Sequence, residues 1–134
     1  EKDRKVLRLQ GDEEIISNLY LYLKKHFSRL KFEKKVPLKN LFTEPKNRWL
    51  KSIWSYGHAD IAIFRHGKLT CILEPGGWYH AKEEKQKIRD IKKDKICKLH
   101  NINVFRFFND VVNNDLLNPK FKKMLKKYIY GKIG

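Results

Sequence analysis

Apolar positions along the chain change period several times, and each change marks an element. In "DEEIISNLYLYLKKHFS", residues 12–28, Ile15, Ile16, Leu19, Leu23 and Phe27 fall on one helical face, with Asp12 or Gly11 placed to cap the start. "LKFEKKVPL" then reads as an edge strand stopped by Pro37, because proline cannot donate to a ladder. Residues 39–56 mix Pro45, Trp49 and Trp54 without a clear period, and a loop with one further strand is expected there. "HADIAIF" and "KLTCILE" are two strand-like runs joined through "RHGK", where Gly67 supplies the positive φ of a hairpin turn. Residues 81–100 contain neither Gly nor Pro and keep Ile88, Ile91, Ile96 and Leu99 apolar, which predicts a long, very basic helix. "INVFRF", residues 102–107, alternates too weakly for a half-exposed strand and reads as a buried one. Strand, long helix and strand form a βαβ unit, which favours a parallel pair. Pro119 opens a last helix with Phe121, Met124, Leu125, Tyr128 and Ile129 as its apolar face. The expected fold class is α/β: a small mixed central β-sheet flanked by α-helices.

Length and charge narrow the function. The 134 residues are expected to form a single domain spanning 1–134, with enough apolar content (41%) for a real core. No internal repeat and no Gly/Ser linker divides them. Against 15 acids stand 31 Lys and Arg, a formal net charge of +16, so a polyanionic partner is expected. No apolar run is long enough for a membrane span. The basic charge is spread along the chain rather than gathered on one amphipathic helix, so an anionic-membrane role is disfavoured. Cys71 and Cys97 sit singly in apolar segments and read as small core residues rather than a disulfide or zinc pair. An intracellular setting is expected, cytoplasmic or nucleoid-associated, or nuclear in a eukaryotic or viral protein. The opening "EKDRK" has no initiator Met and no secretory pattern, and is expected to be a boundary within a longer protein.

In a chain short of acids, Asp60 and Glu74 occupy the most apolar segments. Whether they meet depends on the hairpin. A two-residue "HG" turn sends them to opposite sides of the sheet. A three-residue Arg65–His66–Gly67 loop puts them on one side as diagonal neighbours, roughly 7–8 Å apart at Cα. An odd loop is therefore the condition for a joint site. Two adjacent carboxylates are costly unless a cation lies between them, and Mg²⁺ suits one or two protein carboxylates with waters and substrate phosphate. The plainer alternative makes Asp60 a hairpin-edge residue and Glu74 a solvated strand end. Pro75, Gly76 and Gly77 follow Glu74 at once, ending the strand and allowing close backbone approach by a ligand.

His80 lies six residues beyond Glu74, within reach of the same cleft as general base or proton shuttle, or is simply a surface histidine. Trp78 and Tyr79 are packing residues or stacking platforms for bases. On the basic helix, Asp90 and Lys93 are three apart and share a face, either as an ordinary solvated ion pair or as a group projecting over the metal site. Arg106, inside a buried strand, needs an anionic partner: a site carboxylate or a bound phosphate.

Taken in order, these residues resemble the very-short-patch-repair-like and homing endonucleases of the PD-(D/E)XK, or restriction-endonuclease-like, superfamily. That pattern has a strand with Asp, then a strand ending in Glu-x-Asp-Gly-x-x-His or a variant. A helix with Asp-x-x-Arg or Asp-x-x-Lys follows, then a strand of the type Gly-x-x-Val-x-Arg-Phe. Asp60 stands at the first acid; "EPGGWYH" supplies Glu74, Gly77 and His80; Asp90 and Lys93 match the helix pair; Val104 and Arg106 match the last strand. The tail from Phe107 onward resembles the family's closing segment. The resemblance also implies an acid early in the first helix, Glu13 in preference to Glu14. Three departures stand out: Gly76 replaces the Asp or Lys expected two after the Glu, the interval from His80 to Asp90 is longer, and Asn101 replaces a Gly. Losing the lysine at position 76 shifts weight to His80.

The resemblance implies a restriction-endonuclease-like fold and a Mg²⁺-dependent DNA endonuclease, with Mn²⁺ as a substitute, from a homing, mobile-element, repair or restriction system. Asp60, with Glu74 or Glu13, is the implied metal ligand set. His80 would activate water, and Lys93 or Arg106 would stabilise the charge on the phosphorus. Lys82, Lys85, Lys92 and Lys126 would grip flanking phosphates of DNA, double-stranded in preference. The domain would act as a homodimer, as a monomer, or joined to a separate DNA-reading region. Two alternatives stay open: a non-catalytic nucleic-acid-binding module on a decayed nuclease scaffold, and an RNase on the same scaffold.

Overall fold

The structure is a computed structural model that describes residues 2–76, 84–108 and 119–130; the side chains of residues 2–13 and of 108 lie outside that description. Its elements run α1 (Lys2–His26), β1 (Lys31–Pro37), α2 (Leu38–Leu41), α3 (Arg48–Tyr56), β2 (His58–Arg65), β3 (Lys68–Gly76), α4 (Glu84–Leu99), β4 (Asn103–Phe108) and α5 (Pro119–Tyr130). The sheet has the order β1-β2-β3-β4. Its first two pairings are antiparallel, and β3 and β4 pair in parallel across the α4 crossover. The mixed sheet flanked by helices, the edge position of β1 and the parallel pair all agree with the hydrophobic pattern.

Side chains alternate across the sheet and build two cores. Ile61, Ile63, Cys71, Leu73 and Phe105 pack with Ile15, Ile16, Leu19 and Leu23 of α1 and with Phe121, Leu125 and Ile129 of α5. On the other face, Ile72 packs with Leu38 of α2, Leu50 and Ile53 of α3, and Ile96 and Cys97 of α4. Both cysteines are buried and unbonded, as core residues should be. Burial pushes each thiol up to about 12, so neither is a nucleophile at neutral pH.

Several expectations are corrected. Residues 39–56 hold no strand. Asn47 caps α3, its side-chain oxygen accepting from the Trp49 N–H at 2.9 Å, and Leu50 and Ile53 bury the inner face. Gly57 follows that helix as its cap, and only glycine fits there because a Cβ would lie 2.5 Å from the Ile53 carbonyl oxygen. Neither Gly11 nor Asp12 caps α1, which runs through both from Lys2; a single interior Gly costs only about 1 kcal/mol. Met124 is exposed on α5, and Ile88, Ile91 and Leu99 are exposed on α4. Asn101 in place of Gly fits, because it adopts φ 57° at the end of α4. There the Asn101 and Ile102 N–H groups donate to the Lys98 and Cys97 carbonyls at 3.1 and 2.9 Å, closing the helix in a Schellman motif.

The hairpin gives the most informative correction. Its turn has two residues, His66 and Gly67 at φ 54° and 78°, with Arg65 paired to Lys68. By the parity expected from the sequence, Asp60 and Glu74 should then part. They do not, because a bulge between Ile63 and Phe64 shifts the register so that Ile63 faces Cys71 and Ile61 faces Leu73. Thr70 is the extra residue. Carried one step further, this register sets Asp60 directly opposite Glu74, closer than the diagonal relation an odd loop would have given.

Candidate functional site

Glu74 is the buried polar residue of the described core, only 4% exposed, and its surroundings explain how its charge is tolerated. The antiparallel ladder reaches Ile61–Leu73. At the next position the Asp60 N–H donates to Glu74 Oε2 at 2.8 Å, so a side chain replaces a backbone acceptor where β2 and β3 separate. Lys93 Nζ, reaching down from α4, donates to Glu74 Oε1 at 2.8 Å. Arg106, beside Glu74 in the parallel register of β3 and β4, brings its Nη1 to 3.8 Å from the same oxygen.

Arg106 is held from above as well. Its Nη1 lies 3.1 Å from Asp90 Oδ1, and its Nη2 donates to Asp94 Oδ1 at 2.8 Å and to the Asp90 carbonyl at 3.3 Å. Gln86 Nε2 donates to Asp90 Oδ1 at 3.1 Å. Burial alone would pull the guanidinium down, but the Asp94 hydrogen bond and the charges of Glu74, Asp90 and Asp94 outweigh it and raise the group further. The lone pair of roles expected for Asp90 and Lys93 is therefore divided: Asp90 serves Arg106, and Lys93 serves Glu74. Asp94 was missed by sequence reasoning. Its signal was available, since it lies four residues from Asp90 and so on the same helical face toward Arg106.

Asp60 behaves differently from its partner. Burial, then the negative charge of Glu74, push its carboxyl up to about 8 against the opposing pull of Lys93. The Asp60 side chain also hydrogen-bonds Glu74, which favours the protonated form. At neutral pH, without a cation, Asp60 thus mostly keeps its proton. Two adjacent carboxyl groups are a donor set of the kind Mg²⁺ takes, since that ion uses one or two protein carboxylates. Among the described residues no third Asp, Glu, His or Cys joins them.

This cluster lines a cleft of about 980 Å³ bounded by α3, α4 and the ends of β2 and β3. Lys85, Lys87, Arg89 and Lys92 join Lys93 and Arg106 on its lining, against the three acids Asp60, Glu74 and Asp90. Of the expected site residues, the structure brings together Asp60, Glu74, Lys93, Asp90 and Arg106, with Lys85 and Lys92 on the wall. Lys126 is exposed on α5, on the far side of the sheet. Trp78, Tyr79, His80 and Lys82 lie outside the described residues, as does the side chain of Glu13, a residue of α1. Glu14 is exposed. Among the described residues no helix is long and apolar enough to cross a membrane. No family model, no curated protein and no solved structure matches this chain.

Proposed function

We propose that the cleft is the centre of a Mg²⁺-dependent DNA endonuclease with a restriction-endonuclease-like arrangement, acting inside the cell in a homing, repair or restriction system. The observation that carries this reading is the meeting of Asp60, Glu74 and Lys93 on the floor of a basic cleft. Asp60 and Glu74 would hold the metal, with Glu13 as a further ligand. Mg²⁺ bound there supplies Lewis-acid polarisation of a phosphoryl oxygen and lowers the pKa of a bound water.

The chain's own groups divide the remaining work. Lys93, fixed by Glu74, holds a positive charge beside the carboxylate pair, where charge develops on a phosphate under attack. It takes up the part that Gly76 cannot play. Arg106 keeps its orientation through Asp90 and Asp94 and adds a second cation to the floor. His80 is proposed as the group that draws the proton from water. Lys85 and Lys92 grip flanking phosphates, so affinity falls steeply as salt rises.

One observation favours a second reading, a non-catalytic nucleic-acid-binding module. Lys93 already balances Glu74, and Asp60 is neutral near pH 7, so the floor is electrostatically quiet without a metal. Plasmid nicking in Mg²⁺ or Mn²⁺ separates the two. The endonuclease reading requires cleavage that EDTA abolishes and that Asp60→Ala and His80→Ala each suppress. Cleavage undiminished in either variant would overturn it, and retained DNA binding with no cleavage under any divalent cation would establish the binding module.

A further inference from the structure

The hydrolytic cluster leaves the walls of the cleft unexplained. On α3, Trp49, Ser52 and Tyr56 follow the spacing i, i+3 and i+7 and form one stripe. Ser52 and Tyr56 line the cleft, and Tyr56 is 85% and Trp49 43% exposed. Facing them, Ile88 and Ile91 of α4 also line the cleft and are 42% and 49% exposed. Lys92 and Lys95 carry their ammonium groups to 5.2 and 5.0 Å from the centre of the Trp49 ring. The groove thus has apolar and aromatic sides and a cationic rim.

Duplex DNA offers such a groove little, because its base faces are hidden in the stack and only its phosphates reach the rim. An unpaired strand presents flat base faces and phosphates together, which is the pattern that aromatic side chains and lysines complement. The stripe from Trp49 to Tyr56 spans about 10 Å along the helix, room for stacking at both ends. We propose that the groove between α3 and α4 receives an unpaired DNA strand, with bases against Tyr56 and Trp49 and phosphates on Lys92 and Lys95. This rests on the endonuclease reading and narrows its substrate to DNA with a single-stranded stretch at the cleavage site, such as a flap, gap or branch.

The test is fluorescence anisotropy in EDTA, where no cleavage occurs, using labelled oligo(dT), a blunt hairpin duplex of equal length and oligo(U). Oligo(dT) should bind more tightly than the duplex. Trp49→Ala and Tyr56→Ala should each weaken oligo(dT) by about tenfold while moving duplex affinity less than about twofold, and Trp49→Phe should keep most of the affinity. Equal losses on both DNAs, or no loss on oligo(dT), overturn the proposal, as does oligo(U) binding more tightly than oligo(dT). The duplex arm and Trp49→Phe report on folding. Because nicking is not read here, a failed outcome leaves the endonuclease reading standing, whereas a failed nicking assay removes the cleavage site from this proposal and leaves only a strand-binding groove, which the anisotropy still tests.

Discussion

The two faces of the sheet are built from the same strands but closed in different ways. On one face, α1 and α5 lay continuous apolar stripes over Ile61, Ile63, Cys71, Leu73 and Phe105, and Phe105 stacks on Tyr128 with ring centres 4.3 Å apart. On the other, α4 has only Ile96 and Cys97 buried, both near its C-terminal end. Its middle is held to the sheet by Lys93, Asp90 and Asp94 through Glu74 and Arg106, and its N-terminal half borders the cleft. The first face is closed by area removed from water. The second has a smaller apolar cluster around Ile72 and Ile96, and over the middle of α4 it is held by oriented charges that border the cleft.

If this division is right, substitutions on the two faces should separate stability from activity. The largest effect belongs to Asp60→Ala, which should lower metal-dependent nicking by about 10³-fold, roughly 4 kcal/mol of barrier, with a circular dichroism spectrum like that of the parent. Leu125→Ala, on the closed face, should cost about 2–5 kcal/mol in urea denaturation while the folded fraction cleaves at the parent rate. Comparable activity losses from both substitutions would erase the distinction between the faces.

Lys93→Met bridges the two regions, since among the described residues it leaves buried Glu74 with Arg106, at 3.8 Å, as its remaining cation. It should destabilise the protein by about 3 kcal/mol in EDTA, with part of the loss recovered on adding Mg²⁺. No recovery would show that the metal does not compensate Glu74.

A smaller effect concerns pH. Asp60 has a folded-state value near 8, above its ordinary 3.8, so the folded state holds a proton that the unfolded chain has released. The stabilisation is complete below 3.8 and is lost as pH rises through about 8. In EDTA, the melting temperature should therefore carry a downward component across that interval, which Asp60→Asn flattens and Mg²⁺ offsets at its upper end. A slope unchanged in Asp60→Asn would assign the titration elsewhere. Smallest of all, Ile88→Ser on the open wall should shift stability by less than about 0.5 kcal/mol in the same denaturation assay, because the residue is exposed and outside both cores.

How much of this was legible in the chain depended on the length scale of the signal. The strands β2 and β3, the helix α4 and the parallel partner β4 were read from long, uniform runs, and Asp60, Glu74, Lys93, Asp90 and Arg106 were singled out before any geometry. α3 escaped because nine residues carry little periodic signal and its two tryptophans suit strands equally well. The bulge escaped for a sharper reason. "KLTCIL" keeps a plausible inward face whether or not Thr70 is skipped, so apolar pattern alone does not fix the register, and a one-residue slip reverses every side chain beyond it. Asp94 went unnoticed because a surface acid on a charged helix looks like any other until Arg106 is placed beneath it.

The most direct check on the carboxylate pair is a crystal structure of the protein soaked in Mn²⁺, read by anomalous scattering. The expected result is a single strong peak between Asp60 and Glu74, with the hydrogen bond between their side chains broken and Lys93 still within reach of Glu74. Crystals saturated with Mn²⁺ that show no peak there, and Asp60 still hydrogen-bonded to Glu74, would contradict a metal centre at this site.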